Sequence, residues 1–285
     1  MKKQLVLAKV HGMCGGVFSA LRILDKMIAG NPGKPVYVLH ELVHNHTVTA
    51  EFEQRGVKFV DSPSDIPQGS AAVIGAHGVS AAVKAELEMR SSILADATCP
   101  LVRKLQYTAA GLNKDEQLVI FGKKGHPEVI GVAGHSNAGQ TFIVADRSDI
   151  DALPELSSPV FLSQTTVDAA RSDEAMRILL ARFPHMRAVP GVCDASRQRQ
   201  AAVRELAQRC PVVIIAGSLH SSNACRLREL AEQHGAKAFR VDGADELPEE
   251  ELLNCEAVGL SSGASTPESV LEKIITRLQE LGFSS

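Results

Sequence analysis

Apolar runs of strand length alternate with amphipathic stretches of helix length along the whole chain. Clusters of apolar and β-branched residues predict strands at 4–8, 36–39, 57–60, 71–75, 117–121, 141–144, 159–162, 212–216, 238–241 and 257–260. Helical spacing of apolar residues predicts helices at 16–29, 100–112, 167–182, 197–209, 223–234 and 266–281. Strand and helix in alternation make α/β units with mostly parallel sheets. The last helix has a readable start: Ser265 or Thr266 as N-cap, Pro267 in the first turn and Glu268 near the positive end. Pro100 opens its helix in the same way.

The pattern also repeats in thirds. Cys14 in LVLAKVHGMCGGV, Cys99 in SILADATCPLV and Cys193 in AVPGVCDASRQ divide the chain almost evenly. Each stands where an apolar strand gives way to an amphipathic helix. In each third, two further strands end in short polar loops. They are YVLHELVHN (37–45) and AAVIGAHGVS (71–80), QLVIFGKKGHPEV (117–129) and PVFLSQTTVD (159–168), then VVIIAGSLHSSN (212–223) and AVGLSSGASTPE (257–268). Open α/β sheets bind ligands outside the carboxyl ends of their strands. Six such loops facing one axis form a central polar chamber. No long linker interrupts the repeat. The expectation is therefore three small, tightly packed α/β domains at 14–98, 99–192 and 193–285, joined by an N-terminal strand within 1–13.

Composition narrows the class. With 285 residues and 45% hydrophobic content, the chain can bury a large core or several small ones. The formal net charge is −3, and no basic run marks a nucleic-acid binder. Aromatic residues are 4% and Trp is absent, so stacking platforms for single strands are not expected. No apolar window is long enough for a membrane span. Lys9 and His11 interrupt the first apolar stretch too early for a signal peptide. Six scattered cysteines do not make a secreted disulfide scaffold. A cytoplasmic protein with metal-binding or catalytic cysteines is the expectation.

Three thiolates from three separate loops suit an iron–sulfur cluster, or a metal ion with one open coordination position. A helix N-terminus favours thiolate over thiol, and thiolate is the ligand. Any one of these cysteines alone would more simply be a small buried apolar residue; their matched positions favour ligation. Cys210, Cys225 and Cys255 lie off the pattern and read as structural. His44, His77 and His126 each follow an apolar strand. Singly each is a common turn or cap histidine; together they offer imidazole donors to an anion or nitrogen ligands to a metal.

Ser221, Ser222 and Asn223 precede a predicted helix, where hydroxyls, an amide and free N–H groups form an anion cradle. Ser265 in GASTPE repeats the arrangement. An ordinary N-cap is the simpler reading of either one, and the pair points to a phosphate-bearing ligand. Neither Walker A nor GxGxxG occurs, so no nucleotide is indicated. Glu128, close to His126 in GHPEV, reads either as the acid that delivers a proton to a leaving hydroxyl or as a solvated loop acid. Thr165 in SQTT either relays that proton or caps the helix that follows.

Taken together, GMCGGV, HELVHN, AHGVS, DATCPLV, GHPEV, SQTT, Arg199-Gln200, GSLHSSN and GASTPE resemble the 4-hydroxy-3-methylbut-2-enyl diphosphate reductases, the LytB or IspH family. They run in the family's order over nearly the whole chain. The resemblance implies a pseudo-threefold trefoil of three α/β domains around one [4Fe-4S] cluster. Cys14, Cys99 and Cys193 would hold the cluster and leave one iron open. His44, His77, His126, Ser221, Ser222, Asn223 and Ser265 would hold the substrate diphosphate, and Glu128 with Thr165 would handle the proton. The implied reaction is a two-electron reductive dehydroxylation to isopentenyl and dimethylallyl diphosphates in the non-mevalonate pathway. The implied electron donor is ferredoxin or flavodoxin.

The chain departs from the family pattern at several points. Met13 replaces Phe, Ser19 stands for Arg, and Ala8-Lys9-Val10 stands for an Ala-x-Pro run. Ala224 stands for a hydroxyl residue and Ser196 for Thr. The alternative readings are a divergent paralogue for another phosphorylated substrate, and a non-catalytic iron–sulfur redox sensor or electron carrier. A carrier has no use for an open iron, two anion cradles and an acid.

Overall fold

The computed structural model describes residues 3–284. In chain order it forms β1 (Lys3–Leu7), α1 (Gly15–Gly30), β2 (Val36–Leu39), α2 (His46–Gln54), β3 (Val57–Val60), β4 (Ser70–Ile74), α3 (Ala81–Arg90), β5 (Ser91–Asp96) and α4 (Pro100–Ala110). Next come β6 (Gln117–Phe121), α5 (Pro127–Ala133), β7 (Gln140–Val144), α6 (Arg147–Asp151), β8 (Pro159–Ser163), α7 (Ala169–Arg182), β9 (Arg187–Val189) and α8 (Asp194–Arg209). The last third holds β10 (Val212–Ala216), α9 (Ser222–Gln233), β11 (Lys237–Val241), α10 (Glu249–Leu253), β12 (Ala257–Ser262), α11 (Glu268–Glu280) and β13 (Phe283–Ser284).

Every strand and helix expected from the pattern is present, with ends moved by a few residues. The start of α11 differs. Its N-cap is Pro267, without a side-chain cap bond. The hydroxyls expected to cap it are drawn elsewhere: Thr266 Oγ1 donates to the Ala216 carbonyl and Ser265 Oγ to the His44 carbonyl. Helix α3 passes into β5 with no intervening turn, since Ser91 is both its C-cap and the first strand residue. That junction therefore carries no turn signal.

The strands form three parallel sheets with one shared order. One sheet runs β3-β2-β4-β5, another β7-β6-β8-β9, and the third β11-β10-β12-β1-β13. In the two four-stranded sheets the second strand in the order comes first in sequence, and in the third sheet β10 precedes its neighbours β11 and β12, so in each sheet the chain reverses direction between the second and third places. That reversal point is where open α/β sheets bind ligands. In the third sheet the fourth place is taken by β1, which arrives from the other end of the sequence and pairs with β12 from Gln4↔Ala257 to Leu7↔Leu260. The register is conserved between sheets. Leu39, Phe121 and Ala216 end the second strands, and each lies opposite a valine on its edge strand: Val60, Val144 and Val241.

The described chain forms two compact bodies. Residues 3–15, 44–48 and 194–284 make one, which holds the five-stranded sheet. Residues 16–43 and 49–193 make the other, which holds the two four-stranded sheets. Alternate residues of each central strand face opposite cores. Val212, Ile214, Val258 and Leu260 pack with Leu271, Ile274 and Leu278 of α11. Val213 and Ile215 pack with Val203 and Leu206 of α8 and Leu227 of α9. In the β6–β9 sheet, Val119, Phe121 and Phe161 meet Leu179 of α7, while Leu118, Ile120 and Leu162 meet Leu105 of α4 and Val129 of α5. Burial on both faces explains the nearly continuous apolar strands. No helix among the described residues is long and apolar enough to cross a membrane.

Strand β1 is thus a core element in one body. Leu5 is buried in its cluster, whereas Leu7 at the strand end is 39% exposed. Leu5→Ala should cost about 2–4 kcal/mol of unfolding free energy, and Leu7→Ala under about 1 kcal/mol. Urea titration of the two variants checks this; equal costs would show that the core does not extend to β1 as described.

Candidate active site

The three cysteines of the repeat occupy one local geometry. Each directly precedes a helix: Cys14 before α1, Cys99 as N-cap of α4 with Pro100 next, and Cys193 before α8. Each donates its backbone N–H to a carbonyl two residues beyond the third strand of its sheet. The bonds are Cys14 to Ala264 at 2.9 Å, Cys99 to Ala76 at 2.9 Å and Cys193 to Thr165 at 3.1 Å. The backbone is therefore fixed while the thiol stays partly accessible. None of the six cysteines forms a disulfide among the described residues. Cys210 and Cys255 are buried, and burial pushes both thiols up, away from the thiolate form that binds metals. The accessible donor set of Cys14, Cys99 and Cys193 suits a group held by soft thiolates, such as an iron–sulfur cluster.

In the body that holds Cys99 and Cys193, the acid is already placed. Glu128 is not a loop residue: it lies in the first turn of α5, with His126 as the N-cap. It is 1% exposed. Thr165 holds it at both oxygens: the Thr165 N–H donates to Oε1 at 2.6 Å and its hydroxyl donates to Oε2 at 2.8 Å. Desolvation outweighs these bonds and pushes the Glu128 carboxyl up to about 7. The carbonyl of the same Thr165 receives the Cys193 amide, so one residue links the acid to a candidate ligand. Thr165 does not cap the next helix; Asp168 does.

His126 Nδ1 accepts the Glu128 N–H at 3.2 Å, which leaves Nε2 as the ring donor. The His77 ring meets the His126 ring edge-on, with centroids 5.4 Å apart. Gln106 of α4, buried and unremarked in the sequence pattern, donates to the Val79 carbonyl and steadies the loop that carries His77.

In the other body lie Cys14, His44, Ser265 and the Ser221–Asn223 turn. Ser221 is the N-cap of α9, its hydroxyl accepting the Ala224 N–H. The adjacent Ser222 Oγ and Asn223 Nδ2 are buried and have no hydrogen-bond partner among the described residues. Two orphaned donors beside the positive end of a twelve-residue helix describe an anion site. Ser265 is buried with its hydroxyl proton turned to the His44 carbonyl, so it ties down the segment that carries His44. Lys123 and Lys124 are exposed, and Lys124 pairs with Asp149.

Several residues have supporting roles that the sequence did not reveal. Ser262 Oγ accepts the Gly12 N–H, and Arg199 Nη2 donates to the Gly12 carbonyl at 2.7 Å. Ser163 Oγ accepts the Gly191 N–H. The available signal was a serine closing β8 and β12 and an arginine six residues after Cys193. Neither has a chemical meaning until the loop it supports is known.

Comparison with known proteins identifies the family of the chain. The family model for the LytB protein matches residues 5–279. A 4-hydroxy-3-methylbut-2-enyl diphosphate reductase of Psychrobacter sp. (strain PRwf-1) is 38% identical over 288 residues, covering 98% of this chain and 90% of that protein. The reductase of that name from Acinetobacter baylyi is 39% identical over 290 residues, with the same coverage. Among solved structures, the E-1-hydroxy-2-methyl-but-2-enyl-4-diphosphate reductase from Plasmodium falciparum superposes with a TM-score of 0.90. It is 30% identical and covers 97% of this chain and 88% of its own. A structure of (E)-4-hydroxy-3-methyl-but-2-enyl diphosphate reductase, the terminal enzyme of the non-mevalonate pathway, gives a TM-score of 0.69 at 27% identity.

The raised Glu128 pKa makes a signed prediction. Its contribution to stability is complete below the unfolded-state value near 4.5 and is lost as pH rises through about 7. That amounts to roughly 3 kcal/mol between pH 5 and 8. Glu128→Gln, which mimics the protonated form, should remove this part of the slope. Urea midpoints of both proteins at the two pH values test it; parallel pH profiles would mean that Glu128 does not titrate in this range.

Proposed function

The chain belongs to the LytB protein family, and from that premise we propose that it is a 4-hydroxy-3-methylbut-2-enyl diphosphate reductase. The proposed reaction adds two electrons and two protons, breaks the allylic C–O bond, and releases water with isopentenyl and dimethylallyl diphosphates. The observation that carries the reading is the orphaned pair Ser222 Oγ and Asn223 Nδ2 at the start of α9. Buried donors without partners are uncommon, and a diphosphate satisfies them. An electron carrier has no need of them.

Cys14, Cys99 and Cys193 would hold a [4Fe-4S] cluster, which would supply electrons and Lewis acidity toward the substrate oxygen. The chain's own residues do the rest. Ser221, Ser222 and Asn223 hold the diphosphate at the helix end, with His44, His77, His126 and Ser265 completing its surroundings. Glu128 keeps a protonated fraction at neutral pH because its burial raises it to about 7. Its proton goes to the departing hydroxyl, and the Thr165 hydroxyl on Oε2 orients or relays it. A cytoplasmic setting with a ferredoxin or flavodoxin donor completes the reading. The repeats at 14–98, 99–192 and 193–285 are the proposed domains, supported by their shared strand order.

An anaerobic assay with the named substrate and a strong artificial reductant tests the proposal. Glu128→Gln should lose about 10²–10⁴ in turnover with its cluster intact, and Thr165→Val should lose less. Asn223→Ala should raise KM on the order of tenfold or more. Normal turnover by Glu128→Gln would place the proton source elsewhere.

The ligand set has its own test. Anaerobically reconstituted protein should be brown and should lose iron in air. Serine at Cys14, Cys99 or Cys193 should abolish the chromophore; serine at Cys210, Cys225 or Cys255 should leave it. Equal loss in the second set would refute the assignment.

A further inference from the structure

Building on the reading that Cys14 and Cys193 hold the cluster, we propose that Ser163 and Ser262 are matched positioning residues. Each fixes a cysteine loop through the amide two residues before the cysteine. Gly12 N–H donates to Ser262 Oγ at 2.7 Å, and Gly191 N–H donates to Ser163 Oγ at 2.9 Å. The two serines occupy one place in the repeat. Ser262 ends β12 opposite Ala216, and Ser163 ends β8 opposite Phe121. Both are fully buried. A buried hydroxyl is costly unless bonded, and here the bond goes to the loop.

The glycines belong to the same device. Gly12 has φ +70°, a conformation that side chains rarely adopt, and a Cβ there would also crowd Glu268 Oε2. A Cβ on Gly191 would fall 1.8 Å from the Ser163 carbonyl oxygen. Without side chains, both loops lie directly against the strand ends. The cysteine amides then bond to Ala264 and Thr165. Each three-residue segment is thus held at both ends, and the backbone that carries its thiol is fixed. Arg199 adds a bond to the Gly12 carbonyl.

The third loop is built differently. The Ala97 N–H donates to the Ile74 carbonyl, and the Asp96 carboxylate takes both the N–H and the hydroxyl of Thr98. Cys99 therefore needs no serine at its strand end. Ser261 supplies the control: it is as buried as Ser262, one residue away, and its hydroxyl has no partner among the described residues. A polar strand end alone does not account for the serine–glycine bonds.

Groups that orient metal ligands typically change metal affinity by about 10–100-fold when removed. The test uses Ser262→Ala and Ser163→Ala, with Ser262→Thr and Ser163→Thr as rescues and Ser261→Ala as control. Amide hydrogen exchange is measured in the metal-free protein, and bleaching by an iron chelator in the anaerobically reconstituted protein. Ser262→Ala should speed exchange at Gly12 about fivefold or more and leave Gly191 unchanged; Ser163→Ala should do the reverse. Each should bleach on the order of tenfold faster, threonine should restore the rate, and Ser261→Ala should match the parent protein.

Bleaching of Ser261→Ala as fast as Ser262→Ala, or faster exchange with unchanged bleaching, would overturn the positioning role. Parent protein that takes up no cluster would overturn the cysteine reading and this role with it. If Ser262→Ala does not accumulate, the Ser163 variants carry the same decision.

Discussion

The bond from each cysteine amide to a carbonyl beyond the neighbouring strand organises the chemistry of this protein. A metal ligand must be rigid in position yet open at its reactive atom. Burial of the whole residue would give rigidity but raise the thiol, as it does at Cys210 and Cys255. Here the constraint is applied to the main chain instead. Cys14, Cys99 and Cys193 all spend their N–H groups on carbonyls just past parallel strands. The sheet supplies the precision, and the side chain stays partly accessible.

Glu128 shows the opposite use of burial. Its carboxyl sits on a helix packed against β6 and β8 through Val129 and Val132. That packing removes water from it and raises its proton affinity. The two bonds from Thr165 limit the cost of desolvation and fix both oxygens. Because the Thr165 carbonyl also receives the Cys193 amide, Glu128 and the Cys193 loop share one anchor residue. A change in either loop is therefore felt by the other.

Much of this was legible in the sequence because it depends on local pattern. Apolar runs marked the long strands, and the cysteine spacing marked the repeat. Other features depend on partners distant in sequence. Nothing near Glu128 reveals that it is buried, since its two bonds come from Thr165. The hydroxyls of Ser265 and Thr266 looked like helix caps, yet the fold directs them to His44 and Ala216. The fourth strand of the third sheet could not be read locally at all, because β1 reaches it from the far end of the sequence. Ser163 and Ser262 look like ordinary strand ends until the loops of Gly191 and Gly12 are laid against them.

The place of β1 also sets an order of assembly. The carbonyls that anchor Cys99 and Cys193 lie on Ala76 and Thr165, upstream of those cysteines, and have left the ribosome before they are needed. Cys14 is the reverse: its anchor is Ala264, and its strand waits for β12. At synthesis rates of roughly 5–20 residues per second, that interval is on the order of tens of seconds. During it the first thiol is exposed on unpaired chain. Two of the cysteine loops can close as they are made, whereas the third closes only after nearly the whole chain has emerged. Closure of the Cys14 loop is thereby a late event, timed by topology.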